Sequence, residues 1–94
     1  MLLEWNKDKD EFLKQERGIS FADIALEIAQ GRYDIKPNSS RLSQMAFIVR
    51  LTNLKHPVYV PAVPTAGGYF LKTAYQSRKE TKKLQNFTFK GVGV

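Results

Sequence analysis

Three apolar segments with the alternation of β-strands follow one another in the second half of the chain, and only short connections separate them. We place these strands at residues 45–51, 58–63 and 69–76. Neighbouring strands joined by so few residues pair antiparallel, because a parallel pair needs a crossover of about a dozen residues or more. Pro61 has no backbone N–H to donate, so it predicts a sheet edge or a bulge. This part of the chain is therefore expected to form an antiparallel meander.

Two amphipathic helices are predicted before the sheet. Asn6 is a good N-cap, and Gly18 fits the left-handed position that ends a helix, so the first helix covers residues 7–17. The second helix begins after Ser20 and ends at Gly31. Its apolar residues have the i, i+3, i+4, i+7 spacing of one buried helix face: Phe21, Ile24, Ala25 and Ile28.

The remaining segments complete a single domain over residues 1–94. Residues 1–5 form a strand or a lid on the core, and residues 32–43 are predicted to be a loop because they are rich in turn-forming residues. Ser77 caps a short final helix, and residues 86–94 are either a last strand or a loose tail. The expected fold is α+β: two N-terminal helices packed on a twisted antiparallel sheet of three or four strands, with a short C-terminal helix.

The net charge of +6 is distributed unevenly along the chain. No acidic residue lies between Asp34 and Glu80. Residues 1–40 carry six basic and eight acidic groups, whereas residues 41–94 carry nine basic groups and one acidic group. A basic surface in the half that forms the sheet indicates a polyanionic partner such as RNA. The structural alternative is a solvated basic face that only keeps the protein soluble.

The composition argues against several classes of site. The chain has no cysteine and a single histidine, His56, so it has no disulfide, no cysteine nucleophile and no histidine-rich metal site. We expect no metal and no cofactor. No apolar run approaches the roughly 18 residues of a membrane span, and Glu4 in an amphipathic start argues against a signal peptide. A cytoplasmic protein without a membrane partner is expected.

The candidate site is the junction between the third strand and the final helix. Cleavage of RNA by its own 2′-hydroxyl needs cations on the phosphate and a group that moves a proton. The candidate catalytic residues are Lys72, Tyr75, Arg78 and Lys79. Further candidates for RNA binding are Arg50, His56, Lys82 and Lys83. The scarcity of carboxylates in this half argues against magnesium-dependent hydrolysis, because carboxylates are needed to hold that ion.

Some of these residues also have a purely structural interpretation. Strand alternation places Tyr75 on the same face as Leu71 and Tyr69, so Tyr75 could belong to the core. The same alternation places Lys72 on the opposite face, so one site can contain Lys72 and Tyr75 only if the strand bends. His56 precedes a proline in a turn, where a histidine is more often a surface residue than a catalyst.

Two stretches at opposite ends of the chain carry a family resemblance. The first has Glu4-Trp5-Asn6, a lysine-bearing helix, and Gly18-Ile19-Ser20-Phe21 at the step into the second helix. The second has Phe70-Leu71-Lys72-Thr73, then Ser77-Arg78-Lys79 and Thr81-Lys82-Lys83. Together they resemble the BrnT-like toxins of bacterial type II toxin–antitoxin systems, over roughly residues 2–85. The chain departs from that family at Arg17, where many members have histidine, at Tyr75-Gln76, and in the segment 32–43.

The resemblance implies a RelE-like fold and a metal-independent endoribonuclease that cleaves RNA, on or off the ribosome, and thereby inhibits translation. It also implies a cognate antitoxin with a ribbon-helix-helix or similar DNA-binding part, and a toxin–antitoxin complex that binds operator DNA. Two alternatives stay open. One is a non-catalytic RNA- or ribosome-binding module on the same fold, and the other is a protein-interaction module with a basic face.

Overall fold

A computed structural model describes residues 1–38 and 43–79. In chain order the elements of this part are β1 (Leu2–Trp5), α1 (Lys7–Arg17), α2 (Phe21–Ala29), β2 (Asp34–Pro37), β3 (Met45–Val49), β4 (Val58–Pro64), β5 (Gly68–Leu71) and β6 (Tyr75–Gln76). The strands lie in the order β1-β5-β4-β3-β2, and β6 pairs with β4. The coarse α+β class is confirmed. The predictions for the final helix beyond Lys79, for Lys82 and Lys83, and for residues 86–94 lie outside the described residues.

α1 begins and ends at the capping residues predicted from the sequence, and α2 begins after the predicted Ser20, whereas the C-cap of α2 is Gln30 and not the predicted Gly31. The Asn6 side chain accepts a hydrogen bond from the backbone N–H of Lys9 (3.0 Å), and Gly18 ends α1 with a left-handed φ of 65°. The Ser20 hydroxyl accepts from the backbone N–H of Asp23 at the start of α2. Each cap satisfies a backbone group that the helix itself leaves unpaired.

Asp10 connects α1 to α2. Its carboxylate is 7% exposed and accepts a hydrogen bond from the backbone N–H of Phe21 (2.9 Å), the first residue of α2. Lys14 lies 3.0 Å from the other carboxylate oxygen of Asp10, one helical turn away. Its hydrogen bond to that carboxylate raises the pKa of Lys14. Because a carboxylate suits the positive end of a helix, Asp10 fixes where α2 begins.

The sheet is mixed, so the prediction of an antiparallel sheet is wrong for one pair of strands. β1 runs parallel to β5, with Leu2 opposite Gly68 and Trp5 opposite Leu71. Both helices lie in the long connection between these strands, which is what a parallel pair requires. A Cβ atom at Gly68 would collide with the backbone of Leu2, so glycine permits the close approach of β1.

The sheet also contains more strands than the three or four predicted. Residues 32–43 were expected to form a loop, but Asp34–Pro37 is a strand antiparallel to β3. In this pair Ile35 lies opposite Phe47 and packs against the core, which compensates for the turn-forming residues around it. Pro37 is tolerated because β2 is an edge strand.

The predicted third strand is divided into β5 and β6 by a β-bulge. The backbone N–H of Lys72 donates to the carbonyl of Pro61 (2.8 Å), and Tyr75 lies opposite Tyr59. Between these two positions β4 has the single residue Val60, whereas the facing chain has the two residues 73 and 74. Two residues on one strand that face a single residue on the neighbouring strand define a β-bulge. Pro61 has no N–H to return to Lys72, so the ladder is weakened where the bulge begins.

The guanidinium of Arg17 supports the bulge from α1. Its Nη1 donates a hydrogen bond of 2.8 Å to the carbonyl of Ala74. A bulge leaves backbone groups without a partner in the ladder. The last turn of α1 therefore supplies a donor to the irregular part of the sheet.

The helices cover one face of the sheet. The helical half contributes Leu13, Ile19, Phe21, Ile24 and Ile28 to the core, and the strands contribute residues that include Phe47, Val60, Leu71 and Ala74. The other face carries Ala46, Ile48 and Tyr59, which alternate with core residues along β3 and β4. We call this the second face. Among the described residues, no helix is both long and apolar enough to cross a membrane.

Candidate functional site

The second face contains a cleft of about 350 Å³ at the bulge. Its lining comes from the end of β2, the start of β3, the middle of β4 and the bulge: Asn38, Gln44, Tyr59, Pro61, Lys72, Thr73 and Tyr75. This lining combines a cation, two phenols and two amides and includes no carboxylate among the described residues. A smaller hollow of about 190 Å³ beside α2 includes Asp23 and Glu27, so its charge is unfavourable for an anion.

The bulge brings the predicted residues Lys72 and Tyr75 to the same face. In a regular strand two residues three positions apart point to opposite faces. Because positions 73 and 74 hold one extra residue, the alternation of side chains shifts by one residue after Lys72. Leu71 and Ala74 are therefore both buried in the core, and Lys72 and Tyr75 both line the cleft. The prediction that Tyr75 shares the core face of Leu71 is therefore wrong, and the Tyr75 side chain is 42% exposed.

Two tyrosines form the floor of the cleft. The ring centroids of Tyr59 and Tyr75 are 5.4 Å apart, and their planes are tilted by 31°. Tyr59 is only 8% exposed, and its hydroxyl donates to the side-chain oxygen Oδ1 of Asn38 (3.3 Å). The side-chain nitrogen Nδ2 of Asn38 in turn donates to the side-chain oxygen Oε1 of Gln44 (3.4 Å). The buried Tyr59 ring is thus held in place, while the Tyr75 ring is exposed to the cleft.

Cations lie on two sides of the tyrosine pair. Lys72 lines the cleft, and the Lys36 ammonium lies 5.6 Å from the centroid of the Tyr59 ring. Two acidic residues have strand positions that point to the second face, and both lie on edge strands of the sheet. They are Asp34 on β2 and Glu4 on β1. The centre of the face therefore favours an anion.

The four other predicted site residues within the described ranges lie at the end of the sheet where β6 finishes. The backbone N–H of His56 donates to the Gln76 side chain (3.1 Å), and that of Ser77 donates to Pro57 (2.8 Å). Arg78 and Lys79 follow with helical backbone and exposed side chains, and Arg50 is exposed where β3 ends. None of the four residues Arg50, His56, Arg78 and Lys79 lines the cleft.

Sequence reasoning missed Asn38, Gln44, Tyr59 and Lys36. Asn38 and Lys36 lay in a segment predicted to be a loop, so they were given no place on the sheet. Tyr59 carried a usable signal, since it alternates with Val58 and Val60 and so points away from the core. No comparable local signal marked Gln44.

The cleft can bind an anion and stack a flat ring, and it holds groups for proton transfer. Lys72 supplies a full positive charge, and the Tyr75 hydroxyl can donate or accept a proton. Within residues 1–38 and 43–79, no three His, Cys, Asp or Glu side chains come together as a metal site. Comparisons of the chain with protein-family models, with characterised proteins and with solved structures found no match.

Proposed function

We propose that this protein is a metal-independent endoribonuclease, the toxin component of a type II toxin–antitoxin system with a RelE-like, BrnT-type fold. One observation carries the proposal: a bulge turns Lys72 and Tyr75 onto one face, where they line one cleft with Tyr59. The cation can stabilise charge on the phosphorane and the phenol can move a proton, which are two of the contributions that cleavage by the 2′-hydroxyl needs. The resemblance of the two end motifs to BrnT-like toxins supplies the biological setting.

The reaction needs neither a metal ion nor a water molecule for its first step. The 2′-oxygen of one nucleotide attacks the adjacent phosphorus, the 5′-oxygen of the next nucleotide leaves, and the products are a cyclic phosphate and a free 5′-hydroxyl. Lys72 stabilises the charge that grows on the phosphorane oxygens. Tyr75 helps to move the proton from the 2′-oxygen to the leaving 5′-oxygen. His56 does not line the cleft, so it is kept as a contact to the RNA outside the reacting centre.

The cations outside the cleft have a separate role in the proposal. Arg78 and Lys79 hold the RNA backbone beyond the scissile phosphate, and Arg50 contributes at the same end of the sheet. All three side chains are exposed, so a strand of RNA can reach them. Cleavage of RNA, on or off the ribosome, stops translation. A cognate DNA-binding antitoxin, of the ribbon-helix-helix type, covers the cleft, and the complex binds its operator DNA.

Purified protein incubated with RNA tests this proposal directly. The wild type should cleave in the presence of EDTA, with and without ribosomes as separate arms, and should leave cyclic phosphate ends. Lys72→Gln should lower the rate about a hundredfold or more, the size expected for loss of one transition-state charge. Lys7→Gln removes an equal charge at the start of α1 and should cleave like the wild type. A folded wild type that leaves all RNA intact under both conditions contradicts the proposal.

Expression in bacteria gives a second test, which concerns Arg78. Arg78→Ala should relieve growth arrest while the protein stays soluble and folded. Undiminished toxicity of that variant would remove Arg78 from the RNA contact. A neighbouring reading frame for a small DNA-binding protein would support the assignment of an antitoxin.

The second candidate is an RNA-binding module without catalytic activity. It is favoured by the observation that Arg78 and Lys79, the cations expected on the scissile phosphate, do not line the cleft. This candidate predicts salt-dependent RNA binding with no cyclic phosphate product. The same incubation therefore separates the two functions.

A further inference from the structure

We infer that the cleft takes one unpaired nucleotide of single-stranded RNA, with its base stacked on Tyr75 and its edge contacted by the side-chain amide of Gln44, which Asn38 orients. The inference rests on the proposed function, which it deepens by naming the substrate class. It is carried by the tyrosine pair, the amide pair behind it and the dimensions of the cleft.

The tyrosine pair has the arrangement of a stacking platform. Tyr75 is 42% exposed, and the ring centroid of the nearly buried Tyr59 lies 5.4 Å from that of Tyr75. Because the Tyr59 hydroxyl bonds to Asn38, the rear ring cannot turn away without breaking that bond. Aromatic side chains presented in this way on a sheet stack unpaired bases, since every base has a flat face.

The side-chain amides of Asn38 and Gln44 line the same cleft as Tyr75, and Asn38 orients Gln44 within it. Asn38 is 6% exposed, and its bonds to Tyr59 and Gln44 fix its orientation. Gln44 uses its carbonyl oxygen for the bond with Asn38, so its NH₂ group is the end that this bond leaves available. An amide matches the donor and acceptor pattern of a base edge. This arrangement predicts discrimination between bases as well as stacking.

The dimensions of the cleft favour a single nucleotide over a duplex. A volume of about 350 Å³ is at the small end of ligand pockets and suits one base with its sugar. In an A-form duplex the bases are stacked on each other and paired, so their faces are unavailable to Tyr75. Lys72 and Lys36 beside the platform provide the charge for the attached phosphate.

Binding of a labelled RNA oligonucleotide that carries 2′-O-methyl groups tests the inference, because those groups block cleavage and isolate binding. The wild type should bind the single strand about tenfold more tightly than a hairpin duplex of equal charge. Tyr75→Leu should weaken single-strand binding about tenfold and leave duplex binding unchanged, and Tyr75→Phe should bind like the wild type. Leu26→Ala removes a similarly exposed apolar side chain on α2 and should change nothing.

The outcomes separate this inference from the proposed function. If Tyr75→Leu binds as well as the wild type, or if the duplex binds as tightly as the single strand, the inference is overturned, although RNA cleavage by the wild type would still stand. If a free mononucleotide displaces the oligonucleotide at equal concentration, the ligand is a small nucleotide, and the inference is again overturned. A wild type that binds the single strand but never cuts RNA would support the inference and contradict the nuclease.

A homopolymer series tests the contact with the base edge. The wild type should bind one of poly-A, poly-C and poly-U about fivefold more tightly than another, as one good hydrogen-bonded contact would give. Gln44→Leu keeps the size of the side chain and should abolish most of that preference. Equal binding of all three by the wild type would remove Gln44 from base recognition.

Discussion

At the scale of single residues, Asp10 is the clearest case of one side chain that fixes a junction. Asp10→Ala should lower the free energy of unfolding by about 1–3 kcal/mol, because the backbone N–H of Phe21 then loses its partner in a buried place. Urea unfolding followed by circular dichroism measures this change. Asp8→Ala is the matched control on the same helix turn, and it should cost less than about 0.5 kcal/mol because Asp8 is exposed. Equal losses for the two variants would show that the hydrogen bond from Phe21 to Asp10 adds nothing to the free energy of unfolding.

The sequence predicted the local interactions of single residues but missed the distant ones. The caps at Asn6, Gly18 and Ser20 each satisfy groups within a few residues, so their signal lies in short motifs. The bond from Phe21 to Asp10 joins residues eleven positions apart, and Asp10 resembles any acidic residue in a first helical turn. Nothing in the spacing of acidic residues distinguishes the buried one from its neighbours.

At the scale of elements, the bulge between β5 and β6 determines the composition of the cleft. The Arg17 guanidinium donates a hydrogen bond to the Ala74 carbonyl in this bulge. Arg17→Met should therefore lower the free energy of unfolding by about 1 kcal/mol. It should also weaken RNA binding several-fold, because Lys72 and Tyr75 lose their common orientation. Arg17→Lys keeps one donor and should recover part of the binding. Titration of the 2′-O-methyl oligonucleotide and thermal unfolding measure the two effects.

The control for Arg17 is Lys7→Met, which removes the same charge from the start of α1. It should change neither RNA affinity nor stability appreciably. If Arg17→Met and Lys7→Met lose the same affinity, the effect comes from net charge rather than from the bulge. If Arg17→Met unfolds at the wild-type temperature and binds normally, the bond to Ala74 has no positioning role.

The position of the bulge could not be predicted from the sequence, for a physical reason. A regular strand over Tyr69 to Gln76 places Tyr69, Leu71 and Tyr75 on one face, which is an acceptable apolar pattern. The bulged strand buries Leu71 and Ala74 instead, and that pattern is equally apolar. The difference arises from Pro61, which cannot donate across the sheet, and from Arg17, which lies 57 positions before Ala74. Pro61 gave the hint of a bulge, but not which strand would carry it.

At the scale of the whole molecule, the parallel pairing of β1 with β5 places the N-terminal strand at the edge of the sheet opposite β2. A Cβ atom at Gly68 would collide with the Leu2 backbone, whereas at Gly67 it would meet only the Leu2 side chain at 3.9 Å. Gly68→Ala should therefore destabilise the protein by about 1–3 kcal/mol, and Gly67→Ala by less than about 0.5 kcal/mol. Urea titration of both variants measures the difference. Equal stability would mean that β1 is displaced at little cost.

The parallel pairing is the part of the fold that was least accessible from the sequence. β1 has only four residues, and its partner lies more than sixty positions away. Its alternation indicates one buried face but carries no information about which strand it joins. The meander of β3, β4 and β5 was predictable because its connections are short, which restricts the possible partners.

The proposed binding of RNA leads to a final prediction, which concerns the uneven charge of the chain. For a single strand, the logarithm of the binding constant falls with the logarithm of salt concentration by about 0.7 for each phosphate contacted. Lys72→Gln and Arg78→Ala should each make this slope shallower by about that amount, since the two cations are assigned to different phosphates. The double variant should lose about twice as much, and Lys7→Gln should keep the wild-type slope. A slope that Arg78→Ala leaves unchanged, while Lys72→Gln reduces it, would confine the RNA to the cleft. The basic end of the sheet at Arg50, Arg78 and Lys79 would then be the surface left for a second partner.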